Sequence, residues 1–152
     1  MKSNKKGITL ISTLIILIVF SVLAGTITIS SHYIIENTRE KEFVREYKVV
    51  ESATKDYIMR NSGILDFEEV ELDLSTINQT SLNQFDGESI TDNKIDMYIV
   101  DLEKIGVTNT TYGTKVNGDE DDVYLVSKDT NTVYYKKGYK IDNSIKYKVT
   151  YD

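Results

Sequence analysis

Apolar and polar residues are distributed along this chain in three ways. From Ile8 to Ile29 there are 22 residues without a charge. From Phe43 to Ile58 the apolar side chains recur at spacings of four and three, and beyond Ile95 they alternate. The first pattern predicts a wholly apolar helix. At ~1.5 Å per residue such a run makes a helix of about 33 Å, enough for a ~30 Å hydrocarbon layer. Ser12, Thr13, Ser21, Thr26 and Thr28 are compatible with it, because hydroxyls in a helix bond back to carbonyls one turn earlier. Gly25 is its one weak point, and the chain contains no proline.

The second pattern predicts an amphipathic helix. Phe43, Tyr47, Val50, Thr54 and Tyr57 form a stripe, with Ala53 and Ile58 beside it and most of the charges elsewhere. Glu51–Lys55 and Asp56–Arg60 have the favourable acid-first spacing of four. Asn61-Ser62-Gly63 supplies a C-terminal cap, with Gly63 taking the left-handed conformation. No breaker separates the two segments, so 8–29 and 30–62 read as one helix of about 80 Å at ~1.5 Å per residue. The 4-3 spacing also suits a coiled coil, but fewer than three good heptads are present. Docking on the chain's own sheet is the expected role of the stripe.

Residues 63–94 are rich in Asn, Gln, Ser, Thr and Asp and read as a connector. Leu74, Ile77, Leu82 and Phe85 line one short helix there, and Val70 and Leu72 alternate with Glu71 and Asp73. Residues 95–152 read as an antiparallel β head. Asp96–Val100 is strand-like, and Asp101–Gly106 is a capped helical turn ending in glycine. Val123–Val126 and Thr132–Tyr135 form a hairpin around Lys128–Asn131, and Ile145–Tyr151 alternates with its lysines toward solvent. Eight of the eleven tyrosines fall between Tyr98 and Tyr151, the amphipathic filling expected of a thin sheet on a helix. The expected fold is α+β, a long N-terminal helix packed on a small antiparallel sheet.

Charge orients the first helix. Lys2, Lys5 and Lys6 precede the apolar run and the first acid is Glu36, so residues 1–7 belong in the cytoplasm and the C-terminal part outside. Three readings of this segment stay open: a signal peptide cut before Gly25, an uncleaved signal anchor, and a leader cut before the apolar run. Against the first, the run exceeds the ~7–15 residues of a signal-peptide core and continues past Gly25.

Lys5-Lys6-Gly7 followed by Ile8-Thr9-Leu10-Ile11 resembles the start of type IV pilins and type II secretion pseudopilins. The resemblance implies a basic leader, residues 1–7, removed after Gly7 by a membrane aspartyl peptidase. Ile8 would then be the N-methylated first residue, and the helix would stay as anchor and assembly stem. It also implies partners: the prepilin peptidase, other pilin or pseudopilin subunits, a platform membrane protein and an assembly ATPase. The family normally has Glu at the fifth mature position, where this chain has Ser12. Members lacking that Glu resemble minor subunits at a filament tip. The segment YIVDLEKIG…DDVYLVSKDTNTVYYKKG resembles the head of pilin-like proteins from Gram-positive bacteria. The expectation is a structural, minor filament subunit serving a pilus, secretion or DNA uptake. The alternative is an anchored extracellular binding or adhesive domain that does not polymerise.

The remaining chemistry is sparse. The net charge of −6 becomes −9 once the leader and its three lysines are removed, which disfavours direct nucleic-acid binding. Zero cysteines exclude disulfides, thiolate metal sites and cysteine nucleophiles. The lone His32 lacks a second His and reads as an interfacial polar residue. Asp119, Asp121 and Asp122 offer hard oxygens for Ca²⁺, but their spacing fits no EF-hand, and acidic runs are usually solvated turns. No GxSxG, HExxH, P-loop or dinucleotide fingerprint occurs. The chain is expected not to be an enzyme and to need no cofactor.

Overall fold

A computed structural model describes residues 5–115 and 118–150; within the first helix, the side chains of residues 5–11, 20 and 22–34 fall outside the description. The chain divides into two compact units, Met1–Arg39 and Glu40–Asp152. One helix, α1 (Lys5–Arg60, 56 residues), contributes to both. With no proline in the chain, nothing interrupts its hydrogen-bond ladder. In the first unit, Ser21 Oγ donates to the Leu17 carbonyl at 2.8 Å, the back-bonding expected of a hydroxyl in an apolar helix.

In the second unit α1 ends as its sequence predicts. Gly63 takes φ +82° and donates its N–H to the Ile58 carbonyl at 2.9 Å, while Asn61 N–H bonds Tyr57 O at 3.0 Å. Ser62 is left-handed as well, with φ +56°. Of the two expected ion pairs, Lys55–Glu51 closes at 2.7 Å.

The sheet holds four antiparallel strands in sequence order: β1 (Glu68–Asp73), β2 (Lys94–Ile99), β3 (Tyr124–Ser127) and β4 (Val133–Tyr135). The β3–β4 hairpin has the predicted strands, with Tyr124 opposite Tyr135 and Val126 opposite Val133. A separate two-stranded ribbon, β5 (Tyr139–Ile141) and β6 (Ser144–Lys146), turns at Asp142-Asn143, both left-handed. Asp101 Oδ1 accepts from the N–H groups of Glu103 and Lys104, and Gly106 at φ +74° closes the expected helical turn. Fold class is therefore α+β, with a helix on a small antiparallel sheet.

Two expectations need correction. The 63–94 stretch is no mere connector: it supplies strand β1 and two 3-10 helices, Leu74–Thr76 and Gln79–Phe85. Leu72, Leu74, Ile77 and Phe85 from this stretch are all buried. Strand β1 hides in the sequence because it is an edge strand, with acids at four of its six positions. Nor does the last run continue as a strand. Pairing stops at Lys146, because Tyr147 O accepts from Tyr135 N–H at 2.7 Å and Tyr147 N–H goes to the Gln84 side chain at 2.8 Å. Tyr151 lies outside the described residues.

These changes give the sheet a second buried face. Toward α1, the core combines Phe43, Tyr47, Val50 and Ile58 with Tyr124, Val126, Val133 and Tyr135. On the opposite face, Leu72, Phe85, Ile95, Met97, Leu125, Tyr134 and Tyr147 make a separate cluster. Phe85 from the second 3-10 helix stacks on Tyr134 at 4.8 Å. Strand β3 therefore reads as a continuous apolar run, the signature of a strand buried on both sides.

Candidate functional site

Sequence reasoning nominates the apolar start of α1, the docking stripe and the acidic run near Asp119. Gly7, Ile8 and His32 lie in the α1 backbone, but their side chains fall outside the described residues. Ser12 is exposed. Leu14, Ile15, Ile16, Leu17, Ile18 and Val19 are each between 50% and 62% exposed. At ~100° per residue, six consecutive positions cover every side of a helix. This segment therefore presents apolar surface all round, an arrangement suited to lipid or to other helices and not to one docking partner. Among the described residues, no helix is long and apolar enough to cross a membrane.

The docking stripe meets its sheet as a ring of aromatics. Phe43 stacks on Tyr139 at 4.2 Å and 6°, and meets Tyr112 edge-on at 5.1 Å. Tyr47 donates its hydroxyl to the Val133 carbonyl. Val50 is fully buried. Tyr57 departs from the expectation: it is only partly buried, and it stacks on Phe67 at 5.0 Å, just ahead of β1. Ile58 takes the buried position in its place. The stripe drifts around the helix, as a 3.6-residue period requires of a 4-3 pattern.

Glu46, which no sequence signal marked, lies next to this stripe. Its Oε2 accepts from the N–H groups of Thr111 and Tyr112 at 2.9 and 3.3 Å, pinning the 108–113 loop to the helix. Burial, followed by a hydrogen bond with Tyr139, pushes the Tyr112 phenol well above the ordinary tyrosine range. Burial likewise raises Tyr124, Tyr134 and Tyr135, reinforced by Glu46 for Tyr124, Glu88 for Tyr134 and Asp122 for Tyr135. These phenols stay neutral: Tyr134 and Tyr135 donate to Glu88 and Asp122, whereas the buried Tyr124 hydroxyl has no hydrogen-bond partner among the described residues and serves in packing.

No protein-family model, curated protein or solved structure matches the chain.

The acidic run separates into individual pairs. Asp119 meets Lys137 at 2.5 Å, and Asp121 meets Lys136 at 2.9 Å. Asp122 turns inward, 6% exposed, and its Oδ1 accepts from Gly113 N–H and the Tyr135 hydroxyl, both at 2.7 Å. Asp122 is thus a structural acid that holds a loop to a strand. Among the described residues, no group of three or more His, Cys, Asp or Glu is placed to hold a metal. Glu88 also escaped sequence reasoning. Its carboxylate accepts from Ser127, from Thr130 at 2.6 Å and from Tyr134 at 2.7 Å, tying the β3–β4 turn to the loop after the second 3-10 helix. Nothing in local sequence pattern distinguishes it from its acidic neighbours.

Proposed function

We propose that this chain is the precursor of a type IV pilin-like or pseudopilin-like subunit whose activity is assembly rather than catalysis. It is cut after Gly7, methylated at Ile8, held in the plasma membrane with its N-terminus inside, and packed beside other subunits through the start of α1. One observation carries this reading. A single helix joins a segment exposing apolar side chains in every direction to a segment whose one apolar face is spent on its own sheet. The uncharged sequence extends beyond the described side chains on both sides, from Ile8 to Ile29. The prepilin peptidase, a platform membrane protein and an assembly ATPase are the partners this reading requires.

The anchored domain that does not polymerise remains the second reading, and one observation favours it. Gly7 and Ile8 lie inside α1, whereas a peptidase cuts extended backbone, so processing must first unwind the opening turn. Ends of helices fray readily, which makes the step inexpensive. N-terminal sequencing of membrane-fraction protein decides between the readings: a start at Ile8 is expected, Met1 gives the anchor, and Gly25 a secreted domain. Gly7→Val should leave the seven-residue leader in place. A Gly7→Val product that is still shortened by the leader overturns the proposal.

Within this reading Ser12 places the subunit at a filament end. A charged group in hydrocarbon costs several kcal/mol unless paired, and a hydroxyl at position 12 supplies no carboxylate for a neighbour's ammonium. The protein is therefore expected to be scarce and confined to one end of sheared filaments, and Ser12→Glu should admit it to the filament body. Labelling of unmutated protein all along the filament would contradict the end position.

A further inference from the structure

The second unit carries two charged surfaces of opposite sign, and neither is used by the aromatic core. Lys41, Arg45, Lys48, Ser52, Lys55 and Met59 follow one another on α1 at spacings of four and three, all exposed. At ~100° per residue this stripe lies opposite Phe43, Tyr47, Val50 and Thr54, so it points away from the sheet. The helix's acids fall to its flanks, with Glu42, Glu46 and Asp56 on one side and Glu40 and Glu51 on the other. Lys41, Arg45 and Lys48, with Glu40 at the margin, border a shallow depression that Val44 also lines. A chain with net charge −6 has placed four helical cations, Lys41, Arg45, Lys48 and Lys55, on one ridge.

The acidic counterpart is concave. Glu71, Asp92, Asp96 and Asp129 line a depression of about 360 Å³, together with Lys94. They come from β1, the Thr91–Lys94 turn, β2 and the turn after β3. Lys94 is committed to Glu71 at 2.6 Å. Among the described residues, Asp92, Asp96 and Asp129 close no ion pair, although Lys128, itself bonded to Glu69, lies near enough to Asp96 to feel its charge. No residue of α1 lines the depression, so the ridge and the hollow are separate surfaces of one unit.

We propose that the Lys41–Arg45–Lys48 ridge of one copy of this chain docks into the Asp92–Asp96–Asp129 hollow of the next. The inference deepens the filament reading and rests on it. Charge complementarity identifies the occupant: the cations sit on a convex helix, the carboxylates in a hollow, and each copy carries both. A contact between two different patches of the same chain is heterologous, and repeated it builds an open array or a ring instead of a closed dimer. Such a contact orders neighbouring heads while the apolar starts of α1 pack elsewhere.

The absence of native cysteine makes the test clean. Full-length Arg45→Cys and Asp129→Cys chains are co-expressed in membranes and treated with a short bismaleimide. Cross-linked dimer is expected from the mixture and from neither variant alone. Adding Lys41→Glu to the Arg45→Cys chain should cut the yield roughly tenfold, and Asp96→Lys on the Asp129→Cys chain should restore it, as expected of a contact between complementary charges. Raised salt should weaken the cross-link, because the charges are exposed. Dimers from Arg45→Cys alone would overturn the proposal in favour of a ridge-to-ridge contact. A Lys41→Glu loss that Asp96→Lys cannot rescue would overturn it in favour of a different polyanionic partner. The N-terminus of the same protein separates the two levels. A chain starting at Ile8 that gives no cross-link removes the docking and leaves the filament reading. A cross-link in a chain starting at Met1 supports the docking and removes that reading.

Discussion

Gly113→Ala should destabilise the second unit strongly. Gly113 sits at φ +76°, where an L side chain costs about 1–2 kcal/mol. A Cβ there would also stand 2.5 Å from Tyr124 Cε2, on a ring that is itself buried in the core. Neither partner has room to yield: Tyr124 is wedged between Tyr47 and Tyr135, and Gly113 N–H is bonded to Asp122. Overpacking of this kind adds about 1–3 kcal/mol, for about 2–5 kcal/mol in all. In a unit of this size that lowers Tm by roughly 10–25 °C. Gly87→Ala is the control, with φ +96° but nothing within 4 Å, so it should show the backbone cost alone. Equal melts for the two variants would mean that the Tyr124 ring does not limit the site.

Phe43→Ala should cost about 3–5 kcal/mol, the range for removing a fully buried phenylalanine. Phe43 is 1% exposed and touches Tyr47, Tyr112, Tyr135 and Tyr139, so its loss opens a void between the helix and three separate segments. Tyr57→Ala should cost less than half as much, since Tyr57 is partly exposed and its one ring partner is Phe67. Denaturant unfolding of both variants measures the difference. Equal losses would contradict the placement of Tyr57 at the margin of the interface, and an unaltered Phe43→Ala midpoint would mean that the stripe serves another surface.

The stripe was legible because a helix that buries one face must repeat its apolar residues every three or four positions. Phe43, Tyr47 and Val50 follow that rule without exception. Strands β2, β3 and β4 were legible for a similar reason, as short apolar runs bounded by polar turns. Strand β1 was obscured because three glutamates and an aspartate dominate its composition, leaving only Val70 and Leu72 to signal an inward face. The β5–β6 turn was missed because Asp142-Asn143 reaches left-handed conformations without the glycine that usually announces them. Asp122 was misjudged because burial is decided by what the loop folds against, and its three acidic neighbours point outward. The candidate hollow was invisible in sequence for a deeper reason. Its carboxylates come from four stretches that only the sheet register brings together.

Edge strand β1 carries a further implication for how the molecule avoids assembling wrongly. An unpaired strand edge is a template onto which any extended chain can add, and such growth has no natural stopping point. Here Glu69 and Glu71 are tied across the sheet to Lys128 and Lys94, at 2.7 and 2.6 Å, so that edge bears locked charge pairs instead of bare backbone flanked by apolar side chains. An incoming strand would have to strip water from these ions and find partners for them. The acids that concealed β1 in the sequence thus act against amyloid-like extension from this edge.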